Sequence, residues 1–359
     1  MIAGELQAVF SALELEKVSH LTLLEAGEFS GTHVPPFPPD APALVLGLDR
    51  LETLTDLTRS LLAVYPASFP LKLVDRSHRV SELPLSDLGG TVGMALWVPA
   101  LGRGASFEAF QEIIAHLRAP EDGCPWDKEQ THLTLRRHLL EESYETLAAM
   151  DEEDTGKMRE EFGDLLLQVV LNAQIASETG EFTMAEVLTG IYDKIVRRHP
   201  HVFGEVQVDG VGEVLSNWEK IKAGERKKDG NGDKGLLDGL PAALPALNQA
   251  QEFQSRAARV GFDWPEIEGV LAKVVEEIAE VRAASNPAEL TDELGDLFFA
   301  LVNLARWKQI DAESALRGAS LKFKKRFQYV EQRARELERP LSEMNLQELD
   351  DLWNEAKRQ

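Results

Sequence analysis

One acidic pattern is written twice in this chain: Glu141, Glu142 and Glu145 followed by Glu161 and Asp164, then Glu276, Glu277 and Glu280 followed by Glu293 and Asp296. Carboxylates three or four residues apart share one face of a helix, so each copy calls for two helices packed side by side with their acidic faces meeting. Each closing Gly-Asp pair sits in an apolar run, Phe162 to Leu171 and Leu294 to Leu304, which ties the acids to elements that must pack. A lone acidic pair in a chain with 61 Asp and Glu among 359 residues reads as a solvated helix face, whereas a second copy in the same grammar does not. The chain is therefore expected to be mainly α, built on two like halves.

Four carboxylates brought together repel one another, and some stay protonated unless a cation lies among them. With no Cys and no paired His at these positions, the ligand type favours Mg²⁺, with Mn²⁺ as a possible substitute, and Mg²⁺ commonly shares substrate phosphates. A phosphorylated substrate is the expectation. The formal charge of −23 argues against direct nucleic-acid binding or an anionic lipid surface, both of which need clustered Lys and Arg. The one cysteine, Cys124, cannot form an internal disulfide and reads as a small residue in a turn. The N-terminus carries no basic and apolar leader, and no apolar run nears the roughly 20 residues of a membrane span. A cytoplasmic protein is expected.

Residues 1–104 differ from the rest. A proline-rich stretch (Pro35 to Pro42) and β-like runs at Ala43 to Leu48, Leu71 to Val74 and Thr91 to Val98 flank a helical stretch near Leu51 to Val64, the pattern of a small α/β domain. Residues 105–224 and 241–359 read as helical units joined by a linker at 225–240, with Gly224 to Lys234 as its loop. In the first unit Leu133, Leu140, Tyr144 and Leu147 are expected to form a core face opposite His138, Glu142 and Glu145, and the apolar run from Leu165 to Leu171 to form a helix buried all round. Asn286-Pro287-Ala288-Glu289 reads as a helix start, with an N-cap and a first-turn proline. Alignment of the halves pairs His138 with Lys273, Lys194 with Lys322, Arg198 with Arg326 and Leu171 with Asn303, consistent with an internal duplication.

Over residues 105 to 359 the chain resembles the MazG family of nucleoside triphosphate pyrophosphohydrolases. The first half carries Cys124-Pro125-Trp126-Asp127, Gln130-Thr131-His132, Leu140-Glu141-Glu142-Ser143-Tyr144-Glu145, Glu161-Phe162-Gly163-Asp164 and Arg198-His199-Pro200-His201-Val202-Phe203-Gly204. The second carries Val260-Gly261-Phe262-Asp263-Trp264, Glu276-Glu277, Glu280, Glu293-Leu294-Gly295-Asp296 and Lys322 to Phe327. The resemblance implies two all-α units and Mg²⁺-dependent cleavage of nucleoside triphosphates between the α and β phosphates, giving a monophosphate and pyrophosphate, a chemistry suited to cleansing the nucleotide pool. It implies metal ligands at Glu277, Glu280, Glu293 and Asp296, with Glu142, Glu145, Glu161 and Asp164 corresponding in the first half. The proton acceptor is expected within Glu276, Glu277 and Glu280. Lys273, Lys322 and Arg326 are candidates for the triphosphate, and Asn303 for the sugar or base. In the first half only Lys194 and Arg198 are matched, so the second half is expected to be the better catalyst. The resemblance also favours a homodimer.

Trp126, Trp218, Trp264 and Trp353 are able to stack on a nucleobase but are expected to be packing anchors, and His199 and His201 to serve a turn or packing role. Residues 1–104 resemble the C-terminal part of a tetrapyrrole methylase domain, through His33-Val34-Pro35-Pro36-Phe37, Pro42-Ala43-Leu44-Val45 and Leu61 to Pro66. Without that family's glycine-rich half, a packing or dimerisation role is expected rather than methyl transfer. Two other readings compete. A di-iron bundle calls for Glu-x-x-His motifs, which the acidic clusters lack. A non-catalytic metal-binding scaffold or regulatory protein is separated from an enzyme by turnover.

Overall fold

The structure, a computed structural model, describes residues 3–15, 18, 20–228, 235–241 and 243–358. It divides into two compact units, Met1–Lys194 and Ile195–Gln359.

The first unit opens with α1 (Ala3–Ala12), β1 (Thr22–Glu25), β2 (Ala43–Leu46), α2 (Leu51–Leu62), β3 (Pro70–Val74), β4 (Val80–Pro84) and β5 (Ala95–Val98). The strands form one sheet in the order β1-β2-β5-β3-β4, in which β1 and β2 run parallel and the other neighbours antiparallel. All four residues of β2 are buried, and their alternation feeds two cores. Ala43 and Val45 join Leu54, Leu57 and Leu61 of α2, while Leu44 and Leu46 join Val9 of α1. The expected strands and helix are present. β1 and β4 were not expected, because each is an edge strand that lacks a clean apolar alternation.

The same unit continues through α3 (Phe107–Leu117), α4 (Pro125–Glu129), α5 (His132–Asp151), α6 (Thr155–Thr179) and α7 (Met184–Arg198), and the division between the units falls inside α7. Side chains set these ends. The Thr131 hydroxyl accepts from Thr134 N and starts α5, Asp154 accepts from Gly156 N and Lys157 N and starts α6, and Gly180 stops α6 at a φ of 72° that favours glycine. α5 packs on α6, and α3 closes over α6 through Ile114, Leu135, Val170 and Leu171. Cys124 precedes Pro125 at the start of α4, its N–H donating to Leu117 O at 2.7 Å.

The second unit contains α8 (Pro200–Phe203), α9 (Val211–Lys228), α10 (Ala246–Arg259), α11 (Ile267–Ala283), α12 (Pro287–Trp307), α13 (Ala312–Glu336) and α14 (Leu346–Ala356). α11 packs on α12 as α5 does on α6, and α10 packs on α12 as α3 does on α6. Asn286 caps α12 by accepting from Ala288 N and Glu289 N, with Pro287 in the first turn, as the sequence indicates.

Three expectations are corrected. Leu133, Leu140 and Tyr144 are exposed, and the buried residues of α5 are Leu135, Thr146 and Ala149. α6 is not buried all round, since Phe162, Leu166 and Val169 are exposed while Gln168, Val170 and Leu171 are buried. In both cases the apolar surface is wider than one neighbouring helix covers. Residues 224–228, expected in a loop, belong to α9, where Glu225 is held by ion pairs to Arg197 and Arg198. The rest of the expected linker lies partly outside the described residues, at 229–234.

Candidate active site

In the second unit α11 presents Lys273, Glu276, Glu277 and Glu280, and α12 presents Glu293, Asp296 and Asn303. Ligand atoms of Glu276, Glu277 and Glu280 lie within 4.8 Å of one another, as do those of Glu277, Glu293 and Asp296, so Glu277 belongs to both groups. It is 3% exposed. Its Oε1 is 2.6 Å from Lys273 Nζ, and its Oε2 is buried with no hydrogen-bond partner. The same ammonium donates to Glu276 at 2.8 Å, and these two hydrogen bonds hold the Lys273 pKa well above its usual value. Burial first, and then the charges of Glu280, Glu277 and Asp296, push the Glu293 carboxyl upward. All the donors are carboxylate oxygens, the set that suits Mg²⁺ or Mn²⁺, and a buried carboxylate oxygen without a partner is the kind of group a cation satisfies. The residues present fit such an ion.

A cavity of about 450 Å³ opens beside these acids. Its lining includes Lys273, Glu277, Asp296 and Asn303, together with four aromatic side chains, Phe253, Phe262, Trp264 and Phe299. Asn303 is buried, and its Oδ1 accepts from Arg306 Nε at 2.9 Å. Arg306 also donates to Asp263 at 2.7 Å, and the same Asp263 oxygen accepts from Trp307 Nε1 at 3.1 Å and from Trp264 N at 2.9 Å. This network fastens the turn before α11 to the end of α12. The indole of Trp264 lies against Gly269, where a Cβ would stand 2.2 Å from Cδ1.

Lys322 and Arg326 are not among the lining residues. Lys322 is exposed on α13, and Arg326 lies over the Trp353 ring, 5.8 Å from its centroid. Trp264, for which packing is the leading expectation and base stacking the alternative, is part of the cavity wall. Gln254, Asp263 and Arg306 also line the cavity and are not expected from the acidic pattern, although Arg306 follows Asn303 at helical spacing and Asp263 stands in the Val260-Gly261-Phe262-Asp263-Trp264 motif.

In the first unit Glu142, Glu161 and Asp164 come within 4.8 Å of one another. Glu145 stands outside that trio, yet its charge contributes to raising the pKa of both Glu142 and Glu161, whose largest push is burial. The supporting cast differs from the second unit. His138 meets Trp126 edge-on at 5.9 Å and lies 3.8 Å from Glu141, and Leu171 is a 2% exposed core residue. Lys194 is exposed. Arg198, matched to the first acidic copy by sequence but lying past the division at Lys194, donates to Glu225 at 2.7 Å, an embrace that with Arg197 holds the Glu225 carboxyl down at about 2. His199 accompanies Trp218, ring centroids 5.2 Å apart, rather than any acid trio.

The family described as the MazG nucleotide pyrophosphohydrolase domain matches twice, at residues 130–203 and 266–330. The chain is 44% identical over 254 residues to a Thermotoga maritima protein named nucleoside triphosphate pyrophosphohydrolase/pyrophosphatase MazG, covering 71% of this chain and 96% of that one. It is 46% identical over 254 residues to the Escherichia coli K12 nucleoside triphosphate pyrophosphohydrolase, covering 69% of this chain and 95% of that one. A Bacillus subtilis protein, uncharacterized protein YabN, is 38% identical over 368 residues, which takes in 98% of this chain and 74% of that protein.

Proposed function

The chain belongs to the MazG nucleotide pyrophosphohydrolase family, and from that premise we propose that it hydrolyses nucleoside triphosphates between the α and β phosphates in a Mg²⁺-dependent reaction centred on its second unit. The observation that carries this reading is the meeting of Lys273, Glu277, Asp296 and Asn303 on one aromatic-walled cavity. Glu277, Glu280, Glu293 and Asp296 would hold the ion, whose positive charge would offset the negative charge of the triphosphate. Lys273 clamps Glu277 Oε1, so this carboxylate is oriented before substrate arrives. Glu276 and Glu280 stand within the same acidic group and are the candidates to take a proton from the attacking water. The aromatic walls suit a stacked base.

The first unit keeps an acidic trio but has Leu171 where the second has Asn303, and we assign it the smaller share of turnover. A role in clearing unwanted triphosphates from the cytoplasmic pool fits this chemistry. A homodimer is supported by large apolar side chains left exposed on the α11 and α12 surfaces, among them Val275 and Phe298. The test is to incubate the protein with each nucleoside triphosphate and Mg²⁺ and identify the phosphorus products by ³¹P resonance. Pyrophosphate with a monophosphate is expected; orthophosphate with a diphosphate sinks the proposal, and no turnover at all favours a metal-binding scaffold.

A further inference from the structure

Two oxygens of the second-unit cavity lining are buried without a hydrogen-bond partner, Glu277 Oε2 and Gln254 Oε1. The first belongs with the acids already described. The second has no counterpart in that chemistry. Gln254 lies on α10 and is 8% exposed. Its Nε2 donates to Phe299 O at 2.8 Å, which fixes the amide, because turning it over would set oxygen against oxygen. The neighbouring polar groups do not relieve Oε1, since Arg306 donates to Asn303 and Asp263. What remains is an unpartnered, buried amide acceptor on a residue of the aromatic cavity's lining, and buried acceptors are costly to leave unmade.

A flat ring that stacks against Trp264 and brings an N–H to Gln254 satisfies both features. Gly269 bears on the first of them, because any larger residue there would drive the indole from its seat. We propose that Gln254 is a specificity-determining residue of the second unit, its Oε1 accepting a hydrogen bond from an N–H on the edge of the nucleobase. This rests on the reading that the cavity takes a nucleoside triphosphate. The site then selects bases by a donor, and a triphosphate of the same ring without that donor leaves the oxygen bare.

Two substrate pairs test it: ATP against purine riboside triphosphate, which lacks the amine, and UTP against its N3-methyl derivative. The full chain carries Glu142→Gln so that turnover reports the second unit. For the natural nucleotide turned over faster, the partner without the donor is expected to show kcat/KM about tenfold or more lower. In Gln254→Met, which keeps the length and loses the acceptor, the ratio is expected to collapse to within about twofold of one. A structural role alone would lower both members of a pair together and leave their ratio unchanged. Equal kcat/KM within each pair for the chain with Gln254 intact overturns the proposal without any variant, as does a ratio that survives Gln254→Met. Calorimetric binding of the α,β-methylene analogues of each pair gives the same comparison without turnover. Thus discrimination in binding with no pyrophosphate release counts against the hydrolase reading alone, and equal binding within the pairs counts against Gln254.

Discussion

Glu277 is the residue common to both acid groups of the second unit, and it is also the most buried of them. Replacing it by Gln keeps its shape, removes a charge and leaves Lys273 paired with Glu276. Pyrophosphate release by the second unit is expected to fall at least about 100-fold, since several kcal/mol of transition-state stabilisation depend on the ion it would hold. Independently of activity, the rise in melting temperature that Mg²⁺ gives the parent is expected to shrink in Glu277→Gln, because a ligand stabilises only by its affinity for the folded state. Gly269→Ala makes a different demand. Its Cβ must displace the Trp264 ring, and a several-fold rise in KM with little change in kcat is expected from steady-state kinetics if the indole serves binding rather than chemistry. The acidic residues were legible in the sequence because a charge repeated at helical spacing is a pattern. Gln254 and Arg306 were not, since a Gln and an Arg on helices of a polar chain carry no pattern, and their roles come from what they face across the fold: Phe299 O for one, Asp263 for the other.

At the scale of elements, short polar contacts decide where helices start and what holds their ends. Arg118, whose side chain is 7% exposed, grips Glu178 of α6 at 2.8 Å and donates to the backbone carbonyls of Asp127 and Gln130, so one side chain ties the end of α3 and the α4 turn to α6. Arg118→Met is expected to lower stability by about 2 kcal/mol or more, measured by urea unfolding followed by helical circular dichroism, because the partner carboxylate and carbonyls lose their donor. Glu225 ties α9 to α7 in a way that pH can undo. Hydrogen bonds from Arg198 foremost hold its carboxyl at about 2 rather than the ordinary 4.5, so the folded form binds fewer protons than the unfolded form at acid pH. The stability it contributes is present above about 4.5 and is lost as pH falls toward about 2. Urea unfolding is therefore expected to separate the parent from Glu225→Gln near neutral pH and to find them converging at the acid end of that window. Caps such as Asn286 could be read from sequence because they act on their own neighbours. The faces of α5 and α6 depart from expectation because periodicity marks an apolar stripe without saying what covers it, and Leu133, Leu140 and Phe162 remain exposed.

At the scale of the whole molecule, exposed apolar residues on α11, α12 and α13 are the surface on which the proposed homodimer is tested. Light scattering is expected to give twice the chain mass, and Phe298→Glu to shift the population toward the monomer. The two units are expected to contribute unequally, with Glu277→Gln removing most of the pyrophosphate release and Glu142→Gln little of it. The duplication was legible because both copies retain the acids; the division of the chain inside α7 was not, because the helix runs unbroken through it and Gly190, the glycine within α7, does not interrupt it. The pairing of Asn303 with Arg306 bears on descent as well as on chemistry. By the spacing of the two acid motifs, the matching positions in the first unit are Leu171 and Gln174, and Gln174 is already engaged with Glu178. An asparagine arriving alone at position 171 would bury an amide without that arginine, and an arginine arriving alone at 174 would find no asparagine to bind. Whichever unit is the more altered of the two descendants, recovery has to cross a less fit intermediate, so a lapsed copy is more readily put to another use than restored.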